Sequence, residues 1–174
     1  MPRRLAVTLA EIPHFTMDGQ RFRNSIKAVI IRDGSLLVTV NEDHLGEFLL
    51  LPGGGQHFGE TMVETLQREC REELACKIVV HDLIGIREYI AAHHEFAELE
   101  PEVHQVEIMF RCDLAAGSEP RFGDTPDDTR DWVQTGTAWV PLTDLANHRI
   151  YPSVLREWLL TLPDPQRRYL GDVN

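Results

Sequence analysis

The sequence predicts an α+β domain, a mixed β-sheet packed between helices, and three observations carry that expectation. Short, apolar, β-branched runs recur along the chain. One well-capped amphipathic helix interrupts them near the middle, and a second helical segment lies near the C-terminus. The runs are joined largely by short loops, which disfavours a repeating parallel βαβ array.

Each element has a local cause. Ser25–Ile31 (SIKAVII) and Ser35–Val40 (SLLVTV) read as strands, and Asp33-Gly34 between them is a tight-turn pair, so a hairpin is expected. Glu47–Leu51 is a further strand that runs into Pro52 and three consecutive glycines, where regular structure cannot continue and positive φ is open. Thr61 can cap a helix in which Glu64 completes a capping box. At about 100° per residue, Val63, Leu66, Cys70 and Leu74 fall in one stripe that can pack on a sheet, while Glu69, Glu72 and Glu73 share the adjacent quadrant. Strands are expected to resume at Lys77–Leu83, Gly85–Ala91 and Val103–Leu114, followed by a late strand at Thr137–Pro141 and a C-terminal helix at Ser153–Leu162.

A length of 174 residues suits one domain with its own core. The expectation is a single domain over 1–174, with a core over roughly 20–165, an N-terminal arm over 1–20 and a C-terminal tail over 166–174. With 17 basic and 28 acidic residues the formal charge is −11, which argues against a broad grip on nucleic acid or on an anionic membrane. The expected ligand is therefore small or bridged by a cation. Cys70, Cys76 and Cys112 lack zinc-type spacing, and their odd number argues against a disulfide framework, so they read as small apolar residues in a reducing compartment. The N-terminus does not resemble a signal peptide and no segment is long enough to cross a bilayer, so cytoplasmic residence is expected.

The stretch Gly53–Cys76, GGGQHFGETMVETLQRECREELAC, concentrates the chemistry. Carboxylates three and four residues apart on a helix repel by roughly a few tenths of a kcal/mol per exposed pair. Such a cluster favours a cation, and oxygen donors at this density suit Mg²⁺ or Mn²⁺, which complete their shells with water and substrate phosphate oxygens. A metal there can polarise a phosphoryl oxygen and lower the pKa of a water, so hydrolysis of a pyrophosphate is the natural reaction. Arg68, four residues before Glu72, is the expected orienting cation, with Arg71 as the alternative. Taken alone, a Glu/Arg-rich amphipathic helix is more often only a solvated face.

The stretch resembles the Nudix box: Gly, five residues, Glu, seven residues, Arg-Glu, an apolar residue, any residue, Glu-Glu, any residue, Gly and an apolar residue. Gly54, Glu60, Arg68, Glu69, Glu72 and Glu73 all match in place, and Cys70 and Cys76 fill the apolar positions as small hydrophobes. Ala75 departs from the pattern, which has glycine there to suit a left-handed helix exit; either alanine takes that conformation at a cost of roughly 1–2 kcal/mol or the helix ends differently. The resemblance implies an α/β/α sandwich around a mixed sheet. It implies Glu69, Glu72, Glu73 and the Gly53 carbonyl as ligands of Mg²⁺ or Mn²⁺, with Glu60 and Arg68 holding loop and helix in place. It also implies a metal-dependent hydrolase of a nucleoside diphosphate linked to another moiety, nucleoside triphosphates included, and it allows a homodimer. The rival readings are a non-catalytic Nudix-like binding or regulatory module and a non-hydrolytic enzyme on the same scaffold, such as an isoprenoid diphosphate isomerase; the complete glutamate set argues against both.

Outside the box, Glu107, Asp127, Asp128 and Asp131 are candidates for an additional acid, each weighed against a plain solvated carboxylate. His57, in the glycine loop, is a candidate substrate contact by position. Arg21 and Arg23 flank Phe22, where a forked donor can reach a phosphate or ribose, although a surface turn accounts for them equally well. Phe58, Tyr89, Phe96 and Phe110 offer faces for a nucleobase, with core packing favoured for Phe110. Arg23, Tyr89, Glu107 and His57 are thus the expected substrate-binding residues. His93-His94-Glu95 and His104 lack HExxH spacing and read as polar loop residues. ADP-ribose specialists of the family carry a proline beyond the box, and Ile90–His94 contains none, which disfavours that substrate.

Overall fold

A computed structural model describes residues 21–95, 97–98, 101–122 and 133–174. The strands are β1 (Arg21–Arg32), β2 (Ser35–Asp43), β3 (Gly46–Leu50), β4 (Ile78–Ile90), β5 (Val103–Leu114), β6 (Val133–Pro141), β7 (Ile150–Tyr151) and β8 (Tyr169–Asp172). The helices are α1 (Met62–Leu74) and the short α2 (Leu155–Trp158). The sheet order is β7-β3-β2-β1-β5-β4-β8, with β6 on β2. Parallel pairs (β1 with β5, β3 with β7, β4 with β8) mix with antiparallel ones, as expected.

Asp33 and Gly34 turn with φ of 50° and 74°, the two positive values that a two-residue hairpin turn requires. The hairpin itself is a brief tie. β1 and β2 pair only at Ile31 with Leu36 and Arg32 with Ser35, whereas residues 21–30 of β1 run parallel to β5. A turn dictates which strands meet but not how far they stay together, and β2 gives its length to β6 and β3 instead.

Where β1 and β2 part, the chain after β3 crosses from one to the other. It leaves β2 at Leu50 and joins the free edge of β1, where Ala28 N–H donates to Pro52 O (2.8 Å), Ile26 N–H to Gly54 O (2.9 Å) and Gln56 N–H to Asn24 O (3.1 Å). The glycine-rich loop is thereby held as a strand-like edge of the sheet.

Side chains of β1 alternate between two cores, as a pleated strand demands. Ile26, Ala28 and Ile30 pack with Leu66, Cys70 and Leu74 of α1; Val29 packs on the opposite face with Met109, Leu155 and Trp158. The sheet therefore lies between helices, in agreement with the expected sandwich. Three expectations need correction. Val63 is 40% exposed and Thr65 is buried in its stead, because helical angle gives a direction but not the depth of packing at the first turn. The helix expected over Ser153–Leu162 is reduced to α2 and a 3₁₀ turn over Leu159–Thr161, and Leu162 is already extended (ψ 150°), the conformation favoured before a proline. The segment 166–174 is not a tail outside the core: β8 pairs with β4 and Leu170 is 1% exposed. Two apolar residues, Tyr169 and Leu170, are too short a run to show periodicity. Among the described residues, no helix is long and apolar enough to cross a membrane.

Candidate active site

The capping box at Thr61 forms as expected: Thr61 Oγ1 accepts from Glu64 N–H (3.2 Å), and Glu64 accepts from Thr61 N–H (2.8 Å). The other end of α1 exits through Ala75 at φ 49° and ψ 30°, so alanine takes the left-handed conformation for which the box pattern has glycine. Gln134 of β6 donates to the Glu73 carbonyl (2.9 Å), one of the last-turn carbonyls that lack a helical partner.

Two glycines seat the loop, one against β1 and one against α1. Gly53 has φ 123°, and a Cβ there would lie 2.1 Å from Ile26 O; a Cβ on Gly54 would lie 2.6 Å from the Glu69 carboxylate. At Gly53 only glycine fits, because the neighbour is backbone; a Cβ at Gly54 would push the Glu69 carboxylate aside. Gly53 N–H donates to Glu73 Oε2 (2.8 Å), and Lys27 Nζ donates to Gly53 O.

Arg68 is the hub, and the expectation of Arg68 over Arg71 agrees with the geometry. Its guanidinium forks onto Glu60, with Nε to Oε1 at 2.8 Å and Nη2 to Oε2 at 3.0 Å. It also donates to Glu69 (2.7 Å), Glu72 (3.2 Å) and the Gly55 carbonyl (3.0 Å). Glu60 further accepts from His57 N–H (3.1 Å) and Thr65 Oγ1 (2.9 Å). The bonds from Arg68, aided by His57 and Thr65, outweigh desolvation and hold the Glu60 carboxyl down at about 2. The same carboxylates raise the pKa of Arg68. Among the described residues no three acids, histidines or cysteines converge as a cation cage; the carboxylates of Glu69 and Glu72 hold Arg68, and that of Glu73 holds backbone.

On the sheet face turned away from α1, three of the four expected substrate residues meet in two cross-strand rows, Arg23–Gln105–Tyr89 and Ser25–Glu107–Arg87. Arg23 donates to Gln105 (2.6 Å), and Gln105 donates to Glu107 (2.8 Å). Arg87 donates to Glu107 Oε2 (2.5 Å) and to the Val173 carbonyl. Both oxygens of Glu107 are thus engaged and the residue is 6% exposed. Burial alone would raise its pKa; Arg87, with Lys27 and Arg23, holds it below the ordinary value. Tyr89 stacks on His94 with ring centroids 5.3 Å apart, and Arg87 lies 5.2 Å over the Tyr89 ring.

His57 stands apart on the loop, 3.6 Å from Glu60, where an open cleft of about 450 Å³ is lined by Phe22, Arg23, Asn24, Gln56, His57 and Phe58. Phe110 is partly buried in the core beneath α1, as favoured. His93 and His94 each reach Asp172 at 2.7 Å. Burial opposes ionisation of Asp172, and these histidines with the Ile90 N–H overcome it, keeping the carboxyl at about 2. Phe96, Asp127, Asp128 and Asp131 lie outside the described residues. Sequence reasoning missed Lys27, Arg87, Gln105, Gln134 and Asp172. The signal for the first three was polar residues at every second position in otherwise apolar strands, Arg23-Ser25-Lys27, Arg87-Tyr89 and Gln105-Glu107, which mark one polar sheet face.

A glycine loop clamped by its helix, with carboxylates organised around one arginine, is the arrangement expected of the Nudix-box stretch on an α+β fold. The NUDIX domain family profile matches residues 21–161, so the chain belongs to the NUDIX domain family and is a hydrolase. A MutT NUDIX hydrolase from Burkholderia pseudomallei is similar at 25% identity and a TM-score of 0.51, covering 71% of this chain and 85% of that one. A NUDIX hydrolase from Nitrosomonas europaea shares the fold at a TM-score of 0.64 and 15% identity, over 89% and 80% of the two chains. An ADP-ribose pyrophosphatase from Streptococcus suis does so at 0.53 and 16%, over 84% and 98%. Among curated proteins, none matches the chain.

Proposed function

We propose that the protein is a divalent-metal-dependent pyrophosphohydrolase that cleaves a nucleoside diphosphate linked to another moiety, nucleoside triphosphates included, and that residues 1–174 form one catalytic domain in the cytoplasm. The observation that carries this reading is the packing of Glu69 and Glu73 against Gly53 and Gly54, so tight that a Cβ on Gly54 would collide with the Glu69 carboxylate. The donors are all hard oxygens; Arg68 now sits on Glu69 and Glu72, Lys27 on the Gly53 carbonyl and the Gly53 N–H on Glu73, and a set of carboxylate and carbonyl oxygens suits Mg²⁺ or Mn²⁺. Glu69, Glu72, Glu73 and the Gly53 carbonyl would hold the ion. When bound, it supplies Lewis-acid polarisation of a phosphoryl oxygen and a more acidic water.

The chain's own groups do the rest. Arg68 and Glu60 fasten the loop to the helix, and the Glu73 carboxylate accepts from the Gly53 N–H. A Glu of this set takes the proton of the attacking water, and Arg68 limits the repulsion among the carboxylates. Arg23, placed by Gln105, reaches the cleft beside His57, Phe22 and Phe58, where a base can stack and a phosphate or ribose can be gripped. Glu107, with both oxygens occupied, acts on substrate through Gln105 and Arg23. The acidic surface favours small nucleotides brought in with a cation over nucleic acid.

The test is a panel of nucleoside triphosphates, nucleotide sugars, dinucleoside polyphosphates and ADP-ribose with Mg²⁺ and Mn²⁺, with products identified by mass and Glu73→Gln as control. Metal-dependent release of a nucleotide, abolished in Glu73→Gln, is expected. Tight binding of a panel member with no turnover of any would instead make the chain a binding module.

A further inference from the structure

We propose that Lys27 and the divalent cation compete for the Gly53 carbonyl, and that the displaced Lys27 ammonium binds a phosphate of the substrate. The inference rests on the reading of Gly53, Glu69, Glu72 and Glu73 as metal ligands. Three loop carbonyls, those of Pro52, Gly53 and Gly54, lie beside β1. Those of Pro52 and Gly54 accept from the Ala28 and Ile26 N–H groups and are fixed in the sheet edge. The carbonyl between them, at a residue with φ 123°, accepts from Lys27 Nζ instead. The oxygen expected to face the metal is therefore the one that already holds a positive charge.

Two cations on one carbonyl oxygen stand a few ångströms apart and repel, so occupation by one disfavours the other. A lysine suits such an exchange: its charge is compact, its stem is flexible, and its three donors can be re-aimed without moving the strand. The displaced ammonium needs a new anion. Glu107 is near enough to feel Lys27, but Arg87 and Gln105 already engage both of its oxygens. Arg23 lies on the same face of β1, further along the strand. The metal brings the missing anion with it, because phosphate oxygens complete the coordination shell of Mg²⁺ or Mn²⁺. Lys27 is thus a positioning and binding residue whose availability is coupled to metal occupancy.

The test measures Mn²⁺ binding by electron paramagnetic resonance without substrate, and ADP binding by calorimetry at saturating Mn²⁺. Wild type is compared with the neutral variants Lys27→Met and Lys27→Gln and with the charge-keeping Lys27→Arg, circular dichroism serving to choose a neutral variant that is folded. A folded neutral variant is expected to bind Mn²⁺ about tenfold tighter and ADP at least about tenfold more weakly, with Lys27→Arg near wild type on both. A purely structural role for Lys27 cannot move the two affinities in opposite directions. Unchanged or weaker Mn²⁺ binding overturns the competition, and unchanged ADP binding overturns the phosphate role. If wild type itself takes up no Mn²⁺, the metal reading of the site fails along with the proposal; if wild type binds Mn²⁺ and Glu73→Gln does not, that reading stands whatever Lys27 does.

Discussion

Two arginine-centred networks occupy opposite faces of the sheet, and they differ in water. Arg68 and Glu60 beside α1 keep side-chain exposures of 17% and 22%, whereas Arg87 and Glu107 on the far face keep 5% and 7%. The first network shares one guanidinium among three carboxylates and a carbonyl, and Glu69 and Glu72 are the partners that a cation would take over in the proposed function. The second is sealed, and each member is committed: Arg87 to Glu107 and the Val173 carbonyl, Glu107 to Arg87 and Gln105. A half-wet ionic network suits exchange, and a dry one suits fixed position.

The sharpest way to break that contrast is Arg87→Met, which strands Glu107 in the interior. Loss of about 3–5 kcal/mol in a urea titration is expected, with most of it recovered in Arg87→Met/Glu107→Leu, where no unpaired charge remains. A loss under about 1 kcal/mol would show that water reaches this network as well. Next in size is Glu73→Gln or Glu72→Gln, each expected to lower turnover by at least about 10²-fold with the unfolding midpoint nearly unchanged. Less than a tenfold loss in both would remove the catalytic role of the wet network.

A smaller effect is expected where α1 ends. Ala75→Gly removes the Cβ from a left-handed residue and should add about 1 kcal/mol, read as a higher urea midpoint at unchanged slope. Last comes pH. The Glu60 carboxyl is held at about 2 by Arg68, below its ordinary value of 4.5, so its contribution is complete above the unfolded pKa and is lost as pH falls through that value toward 2. Wild type should therefore lose stability over that window more steeply than Glu60→Gln, and parallel curves would mean that Arg68 holds Glu60 no more tightly in the folded chain than solvent does.

The legibility of the two networks in the sequence was unequal for a physical reason. Glu60, Arg68, Glu69, Glu72 and Glu73 lie within one loop and one helix, where spacing along the chain translates directly into position. Arg87, Glu107 and Gln105 come from strands whose register is set by the whole sheet. Polar alternation along each strand marks a polar face but does not say which faces meet.

By itself the sequence determined what rests on neighbours a few residues apart: the Asp33-Gly34 turn, the Thr61–Glu64 capping box, the buried Leu66, Cys70 and Leu74, and the clustering of glutamates on α1. Tertiary structure alone decided that β1 leaves its hairpin partner for β5, that β8 joins β4, and that Lys27 meets the Gly53 carbonyl. Those contacts join residues far apart in the chain, and their energies depend on which surfaces the complete fold brings together and seals from water.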